Sequence, residues 1–393
     1  MNEPARRAAE MSAAFSARYG DTPQLWTRAP GRVDLMGSHT DYNHGFILSM
    51  TIDRDTWVAA RPRQDRTVSV LSLDLGAETN FSLDAIAPDP EQHWANYVRG
   101  MASVLCDAGY PLRGFDALIH TTVPVSAGLS SSAALEMAVG RMFEAVGGFT
   151  IDAVELAVLG QRAENHFVGV ACGILDQYTS AVGKAGCALL LDARTITSSD
   201  APIADGITVV ICDTCTKREL AGSEYGVRRA QCEQGAAYFA RRYPDVTHLR
   251  DVSFERFEAH AAELPDAVAR RCRYILEENA RVPALAAALT AGDHIAIHQL
   301  TAASFAGARD LYEITIPEME IMLKTMLAAP GCIAARQAGA GFGGCMAAFV
   351  IKEKIEPFVD FVANTYTSGA GIEPRIYPVK SSPGASRFTP PAA

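Results

Sequence analysis

The feature that most constrains the fold of this 393-residue chain is a short segment rich in serine and glycine, PVSAGLSSSAA, at residues 124–134. Residues 115–123, just before it, are rich enough in apolar and β-branched side chains to predict a strand. Apolar residues then recur at helical spacing over residues 135–146, and Gly147 and Gly148 end the pattern as a helix C-cap does. The sequence therefore predicts a loop between a strand and the N-terminus of a helix.

A loop in this position is a candidate phosphate-binding site. The first turn of a helix has backbone N–H groups without intrahelical partners and a partial positive charge, so it attracts anions. Gly128 lets the backbone approach a ligand closely, because it has no Cβ. One serine could serve as an N-cap alone, but Ser130, Ser131 and Ser132 are more hydroxyls than one cap requires. Phosphate binding is the favoured interpretation, although the loop lacks the Gly-Lys-Ser/Thr of a Walker A motif.

A second cluster of polar groups lies in GRVDLMGSHTDYNHG, residues 31–45. Arg32, Asp34, His39 and Asp41 bring guanidinium, carboxylate and imidazole groups onto one segment bounded by glycine. Such a set suits hydrogen bonding to a polyol. A charged surface loop is an equally good interpretation of this segment on its own.

Two acidic residues, Glu164 and Asp176, form the third candidate feature. They lie in AENHFVGVACGILDQ, where apolar residues surround Asp176. A carboxylate in apolar surroundings is usually paired or functional. The alternative is that Asp176 caps a helix and Glu164 is solvated.

The fourth feature is a glycine-rich turn, GAGFGGC, at residues 339–345. It has some likeness to a dinucleotide-binding fingerprint, but it precedes a predicted strand, whereas the fingerprint follows one. Alone, the turn indicates little, because glycine-rich turns are common.

The composition is that of a folded protein of two or three domains, with 49% hydrophobic and 20% charged residues. The net charge of −10 argues against a general nucleic-acid-binding surface, so local groups have to hold any anionic substrate. The sequence shows no signal peptide and no apolar run of about 18 residues, which predicts no membrane segment. The nine cysteines are scattered, which favours reduced thiols and a cytoplasmic protein.

A polar stretch at residues 197–206 is the candidate domain boundary. It predicts an N-terminal domain of residues 1–198 and a C-terminal domain of residues 199–393. Residues 225–308 are expected to form several helices. The terminal residues 381–393, rich in Pro and Ser, are expected to be mobile.

Taken together and in this order, the motifs are specific. Residues 31–43 resemble the galactokinase signature GRVNLIGEHTDYN, residues 124–136 match the phosphate loop of the GHMP small-molecule kinases, and residues 337–345 match their C-terminal glycine motif. Further matches are WANY at residues 94–97, CGILDQ at residues 172–177 and KRELAGSEYGVRR at residues 217–229. Over residues 15–380 the chain resembles the GHMP kinase superfamily, and within it most closely the galactokinase family.

The resemblance implies a fold and an activity. The expected fold is α+β with two domains, the N-terminal one like ribosomal protein S5 domain 2 and the C-terminal one ferredoxin-like, and with the active site in the cleft between them. The expected activity is ATP- and Mg²⁺-dependent phosphorylation of the anomeric hydroxyl of D-galactose to galactose 1-phosphate. The expected partner is a monosaccharide, with no nucleic acid and no membrane, and the chain is expected to be a monomer or a weak homodimer.

The resemblance also implies the roles of individual residues. Asp176 matches the catalytic base that takes the proton from the C1 hydroxyl, and Arg32 matches the arginine beside it. Ser132 and Glu164 match the magnesium ligands, a donor set that suits Mg²⁺. The residues that match sugar-binding positions are Asp34, Ser38, His39, Asp41, Gly173 and Tyr225. The residues that match nucleotide-binding positions are Trp94, Tyr97, Pro124, Gly128, Leu129, Ser130, Ser131, Ser132 and Gly341.

The chain departs from the galactokinase signature at two polar positions, where Ser38 replaces Glu and Asp34 replaces Asn. In the family that Glu helps to hold the C6 hydroxyl, and loss of such a charge-assisted bond costs roughly 1.5–3 kcal/mol. Three substrates fit: D-galactose with a water in the gap, L-arabinose, which has no C6, and D-galacturonate, whose carboxylate a Glu would repel. The retained segment from His39 to Asn43 keeps galactose first. On this argument, S38E should improve the use of galactose.

A protein of a different class, a sugar and ATP sensor without catalysis, would keep the fold. Such a protein is expected to have lost the serine loop, Asp176 or Arg32. All three are intact here, which favours an enzyme.

Overall fold

The computed structural model describes residues 3–125, 127–216 and 221–391, and for residues 221–223 only the backbone. The first four residues of the family stretch 217–229 therefore lie outside the described residues. The strands are β1 (Leu25–Met36), β2 (Phe46–Pro62), β3 (Thr67–Ser72), β4 (Ala77–Ser82), β5 (Phe115–Thr121), β6 (Cys187–Asp192), β7 (Thr197–Pro202), β8 (Ile207–Asp213), β9 (Cys332–Gln337), β10 (Cys345–Ile351), β11 (Arg375–Val379) and β12 (Ser386–Arg387). The helices are α1 (Glu3–Tyr19), α2 (Ala95–Asp107), α3 (Ser131–Gly147), α4 (Ala153–Arg162), α5 (Leu175–Val182), α6 (Ala221–Ala240), α7 (Phe254–His260), α8 (Asp266–Ala291), α9 (His294–Asp310), α10 (Pro317–Ala328) and α11 (Ile355–Ala370).

The chain divides into two compact units. Unit 1 consists of the described parts of Met1–Arg32, Thr51–Gly183 and Ser382–Ala393, and unit 2 of those of Val33–Met50 and Lys184–Ser381. The strands β1 and β2 each contribute to both units. The division into residues 1–198 and 199–393 stays a prediction.

In unit 1 the sheet has the strand order β12-β1-β2-β5-β3-β4. The pairing of β3 with β5 is parallel, whereas β2 with β5 and β3 with β4 are antiparallel. Met11 and Phe15 of α1 pack against Trp57 and Leu118 on the sheet, at the spacing of one helical face. The helices α2 to α5 pack against one another. The strand, loop and helix predicted around residues 115–148 are confirmed, and Gly148 is the C-cap of α3, with φ 72°.

The C-terminal tail of unit 1 is ordered through Phe388, so the prediction of a mobile tail is wrong there. Strand β12 pairs with β1, with Thr27 opposite Arg387. Phe388 packs against the rings of Trp26 and Trp57, at centroid distances of 6.2 and 4.8 Å. The aromatic anchor is the physical reason, since its burial offsets the entropy lost in ordering the tail.

Unit 2 contains an antiparallel sheet of four strands in the order β11-β8-β10-β9. Helices α9, α10 and α11 contribute Phe305, Met322 and Phe358 to the apolar core on this sheet. A second core lies among α6, α7 and α8, as the helical pattern of residues 225–308 predicts. Residues 197–202 of the polar run form strand β7, which pairs with β6 through its backbone.

Every helix in the described ranges is too short or too polar to span a bilayer. The nine cysteines all lie in the described ranges, and there they form no disulfide with one another.

Candidate active site

The serine-rich loop of unit 1 leads into the N-terminus of α3. Ser130 is the N-cap residue and adopts a left-handed backbone conformation, with φ 59° and ψ 52°. Its side chain does not cap the helix but donates a hydrogen bond to Oδ2 of Asp176, at 2.5 Å. Gly128 also has a positive φ, of 81°, which a residue with a Cβ rarely adopts. The first-turn N–H groups of α3 therefore face the loop without a side-chain cap from Ser130.

Asp176 lies in the first turn of α5, and both of its carboxylate oxygens accept hydrogen bonds. Arg32 donates to Oδ1 through Nε at 2.8 Å and through Nη2 at 2.5 Å. The third guanidinium nitrogen, Nη1, donates to the carbonyl of Gly128 at 2.8 Å. Arg32 therefore joins the serine loop to Asp176 and holds that side chain in one orientation.

Glu164 lies in a turn of π-helix, Ala163–Val168, and is 5% exposed. Burial raises the pKa of its carboxyl, and the charge of Asp176 raises it further. Hydrogen bonds from Cys172, Gln177 and Ser132 act in the opposite direction. Glu164 is thus a buried carboxylate with the charge of Asp176 nearby, an environment that a divalent cation would relieve.

Sequence reasoning missed Gln177, which holds Glu164, and Glu136, which accepts a hydrogen bond from the same amide. Nε2 of Gln177 donates to Oε2 of Glu164 at 2.6 Å and to Oε2 of Glu136 at 2.9 Å. Glu136 is fully buried, and burial raises its pKa well above the usual range. Gln177 is the last residue of the motif CGILDQ, and Glu136 is the last residue of PVSAGLSSSAALE. The motifs were therefore recognised, but functional roles were predicted only for other residues within them.

The predicted adenine residues belong to α2 of unit 1. Trp94 is the N-cap of this helix, and its buried indole N–H has no hydrogen-bond partner within the part of the chain that the structure describes. Burial raises the pKa of Tyr97 to about 12, with Glu164 and Glu136 as smaller causes. Helix α2 packs against the π-helix that carries Glu164. The remaining predicted residues of this unit are Pro124, Leu129 and Ser131 in the serine loop and its helix, and Gly173 before α5.

In unit 2 the predicted sugar segment is folded back on itself. Ser38 donates a hydrogen bond to Oδ2 of Asp34 at 2.8 Å, and both residues are buried. Asp41 begins a short 3₁₀ helix, Asp41–Asn43. The ring of Tyr225, on α6, lies 5.2 Å from that of His39.

Both ring nitrogens of His39 have partners within the protein. Nε2 lies 2.9 Å from the carbonyl oxygen of Ala340 and must donate to it, so Nδ1 accepts from the hydroxyl of Tyr42, also at 2.9 Å. Burial lowers the pKa of His39 to about 4, which matches a neutral ring in this tautomer. His39 also has a positive φ, of 68°. The side chain is therefore committed to holding the segment.

Ala340, whose carbonyl accepts the hydrogen bond from His39, is part of the glycine motif of unit 2. Gly341 has a φ of 82°, and a Cβ there would lie 2.5 Å from the carbonyl oxygen of Ile314. Phe342 donates its N–H to the same carbonyl at 2.7 Å. Within unit 2, the motif is thus packed against Ile314 and His39.

The structure therefore groups the predicted residues by unit. Arg32, Asp176, Ser130 and Gly128 are joined by hydrogen bonds in unit 1, and Ser132 and Glu164 are joined beside them. In unit 2, Asp34 is joined to Ser38, and His39 contacts Tyr225 and the glycine motif.

Comparisons with known proteins come from family models and from relatives. Residues 13–62 match the galactokinase galactose-binding signature, residues 96–184 the N-terminal domain of GHMP kinases and residues 285–367 their C-terminal domain. The chain is 43% identical to a galactokinase of Roseiflexus sp. (strain RS-1) over 378 residues, covering 96% of each chain. It is also 43% identical to a galactokinase of Chloroflexus aggregans, covering 93% of this chain and 94% of that one.

Among solved structures, the chain is similar to the galactokinase of Lactococcus lactis complexed with galactose. The TM-score is 0.91 at 33% identity, over 96% of this chain and 98% of that one. A crystal structure of mevalonate kinase, at a TM-score of 0.62 and 17% identity, shares the fold. The expected two-domain GHMP kinase fold of mixed α and β structure is confirmed.

Proposed function

The chain belongs to the galactokinase family of the GHMP kinase superfamily, and from that premise we propose how its residues carry out the reaction. The reaction is transfer of the γ-phosphoryl group of ATP to galactose, which gives galactose 1-phosphate. Little covalent chemistry is left to the protein in such a transfer, so positioning and charge stabilisation dominate.

Asp176 acts as the base that accepts the proton of the C1 hydroxyl of galactose. The hydrogen bonds from Arg32 and Ser130 to separate oxygens support this role, because they fix the orientation of the carboxylate. This arrangement at the serine loop is the single observation on which the proposal most depends. Arg32 favours the ionised form of the carboxyl and offsets negative charge that develops on the phosphoryl group.

The nucleotide binds to unit 1, with its phosphates at the serine loop and the first turn of α3. The absence of a side-chain cap from Ser130 supports this assignment, since first-turn N–H groups suit phosphate oxygens. Trp94 and Tyr97 lie beside the adenine, and the indole N–H of Trp94 is a donor suited to it.

Ser132 and Glu164 would hold Mg²⁺ together with phosphate oxygens and water. Their oxygens fit, because Mg²⁺ prefers one or two protein oxygens in kinase sites and the hydroxyl of Ser132 is hydrogen-bonded to Glu164. When bound, the ion neutralises charge on the phosphates.

Galactose binds to unit 2 through Asp41 and Tyr225. We assign His39 a positioning role, because both of its ring nitrogens are already hydrogen-bonded to Tyr42 and Ala340. We also assign Gly341 a positioning role, because it packs closely on Ile314, and we do not assign it a contact with the nucleotide.

Nine cysteines without a disulfide among the described residues suit a reducing compartment, and we propose a cytoplasmic location on that ground. We also propose a monomer or weak homodimer, which analytical ultracentrifugation would check.

The reaction is tested by coupled release of ADP from ATP and Mg²⁺ with galactose, L-arabinose or D-galacturonate, and by NMR of the product. We expect the highest kcat/KM with galactose, and phosphate on C1. ATP binding without turnover on any of the three sugars would instead favour the sensor, and a higher kcat/KM for one of the other sugars would reassign the substrate.

Glu164→Gln should raise the Mg²⁺ concentration required for half-maximal activity by roughly 10–100-fold, because the neutral amide is a poorer ligand for a hard cation. The dependence of rate on Mg²⁺ at saturating ATP and galactose measures this. The affinity for galactose, which calorimetry without nucleotide reports, should not change.

Glu155→Gln is the matched control. Glu155 is a carboxylate on neighbouring helix α4 that accepts a hydrogen bond from Tyr110 at the surface. It should require the same Mg²⁺ concentration as the native protein. Equal losses of Mg²⁺ and galactose affinity in E164Q would argue against the metal assignment.

A further inference from the structure

Arg336, the next-to-last residue of β9, is the largest fully buried side chain of the described residues. Its Nη2 donates to Oγ of Ser38 and to Oε1 of Glu278, both at 3.2 Å. Its Nε lies 3.2 Å from Oγ of Ser304, which in turn donates to Oε1 of Glu278 at 2.7 Å. One guanidinium thus joins the sugar segment to helices α8 and α9.

The same cluster holds the backbone of the segment. The N–H of Gly37 donates to Oε1 of Glu278 at 3.3 Å, and the hydroxyl of Tyr274 donates to the carbonyl of Ser38 at 3.3 Å. Oγ of Ser38 reaches Asp34, whose Oδ1 lies 3.9 Å from Nη1 of Arg336. These contacts meet at Gly37 and Ser38, directly before His39 and three residues before Asp41.

The fully buried charges of the cluster are two carboxylates and one guanidinium. The carboxylates are Asp34 and Glu278, at 1% and 0% exposure, and the guanidinium is that of Arg336. Arg281 also reaches Glu278, with its Nη1 3.1 Å from Oε2, but its Nη2 bonds the more exposed Glu277. Removing one member of a buried ionic set leaves an uncompensated charge, which is strongly unfavourable. A displacement of the segment would take Asp34 and Ser38 away from Arg336, so the cluster favours a single position.

We propose that Asp34 and Ser38 form one coupled pair, held by Arg336, that positions the sugar-binding segment and thereby sets the affinity for galactose. Arg336 is a positioning residue in this account, since it acts through Ser38 and Asp34. The inference rests on the proposed binding of galactose by Asp41. It also accounts for both polar departures from the family signature. The signature has one carboxylate at these two positions, the Glu at position 38, and this chain also has one, Asp34.

This coupling changes the expectation for Ser38. S38E alone places a second carboxylate beside Asp34, where the one buried guanidinium, Arg336, already faces Asp34 and Glu278. We therefore expect it to weaken galactose binding by at least roughly 30-fold, opposite to the improvement that the signature alone suggests. D34N alone removes one buried charge and should weaken binding about tenfold. D34N/S38E again leaves one carboxylate at positions 34 and 38, so it should bind galactose within about fivefold of the native protein.

Calorimetry of galactose binding without nucleotide, on the native protein and these three variants, tests the coupling. A coupling of at least about tenfold between the two positions supports the proposal. Effects that multiply independently, within about twofold, overturn it. Circular dichroism melting identifies a variant that does not fold.

A second pair of variants keeps the test decisive if S38E does not fold. Ser304→Ala removes a hydroxyl that touches Arg336 and Glu278 but not the segment itself. Its control is Thr301→Val on the same helix, since the buried hydroxyl of Thr301 donates only to the helix carbonyls of Ile297 and His298. We expect S304A to raise KM for galactose roughly 3–10-fold with kcat unchanged, and T301V to change neither. Equal KM values in both variants would contradict the role of Arg336.

Asp41→Asn separates this inference from the proposed function. If D41N binds galactose as tightly as the native protein, the sugar assignment itself is wrong. If D41N weakens binding and the cluster variants do not, only the positioning inference is wrong.

Discussion

Asp176→Asn should lower kcat by about 10²–10⁴-fold, which is the usual contribution of a general base. The amide keeps the size of the carboxylate and still accepts from Arg32 or Ser130, but it cannot take the proton of the C1 hydroxyl. The geometry around it has no second carboxylate bonded to both Arg32 and Ser130 that could replace it among the described residues. Coupled release of ADP at saturating ATP and galactose measures the loss.

Binding measurements keep this result interpretable. Calorimetry should give D176N affinities for ATP and for galactose within a few-fold of the native values, since the base acts mainly in the transition state. Asp152→Asn is the matched control, because Asp152 caps α4 through its side chain and Asn caps almost equally well. Native activity in D176N would remove Asp176 from the mechanism.

Local physics predicted the part of the site that is built from continuous sequence. The strand, the serine loop and the helix around residues 115–148 follow from composition, periodicity and a glycine C-cap. The pairing of Arg32 with Asp176 joins residues 144 positions apart. No periodicity reports such a contact, and only the family resemblance placed the two together.

The side chains that were not predicted are those whose roles depend on contacts with residues far away in the sequence. Arg336 lies in an unremarkable strand, CIAARQ, and its role depends on Glu278 from another helix. His39 is bonded to a carbonyl 301 positions away, a partner that nothing in its own segment indicates. Strand β7 was missed because its polar side chains are mostly exposed and backbone pairing holds it.

The two units divide the chemical task in a way that explains this contrast. In the proposed function, phosphate binding uses backbone groups and one cap position, which a short motif specifies. Sugar binding, as proposed, uses side chains that several helices must hold in register, and burial of charge favours that register. Substitutions in the sugar segment are consequently coupled to residues outside it, as Ser38 is to Arg336.

Arg32→Met should lower kcat by roughly 10³-fold, at the lower end of the contribution of an arginine in phosphoryl transfer. Arg32 serves two groups, since it bonds Asp176 and is placed to stabilise the phosphoryl charge. Arg32→Lys keeps the charge but not the paired bonds from Nε and Nη2, so it should recover only part of the rate. Arg61→Met is the control: its partner Asp116 keeps a second arginine, Arg63, and full activity is expected.

A double-mutant cycle then decides whether Arg32 acts only through Asp176. If it does, D176N/R32M is no slower than D176N, because residues that act as a unit are not additive. If Arg32 also stabilises the phosphoryl group, the double variant loses at least another tenfold. We expect the second result, since the guanidinium spans from Asp176 to the carbonyl of Gly128 in the phosphate loop. Equal rates for D176N and the double variant would confine Arg32 to holding the base.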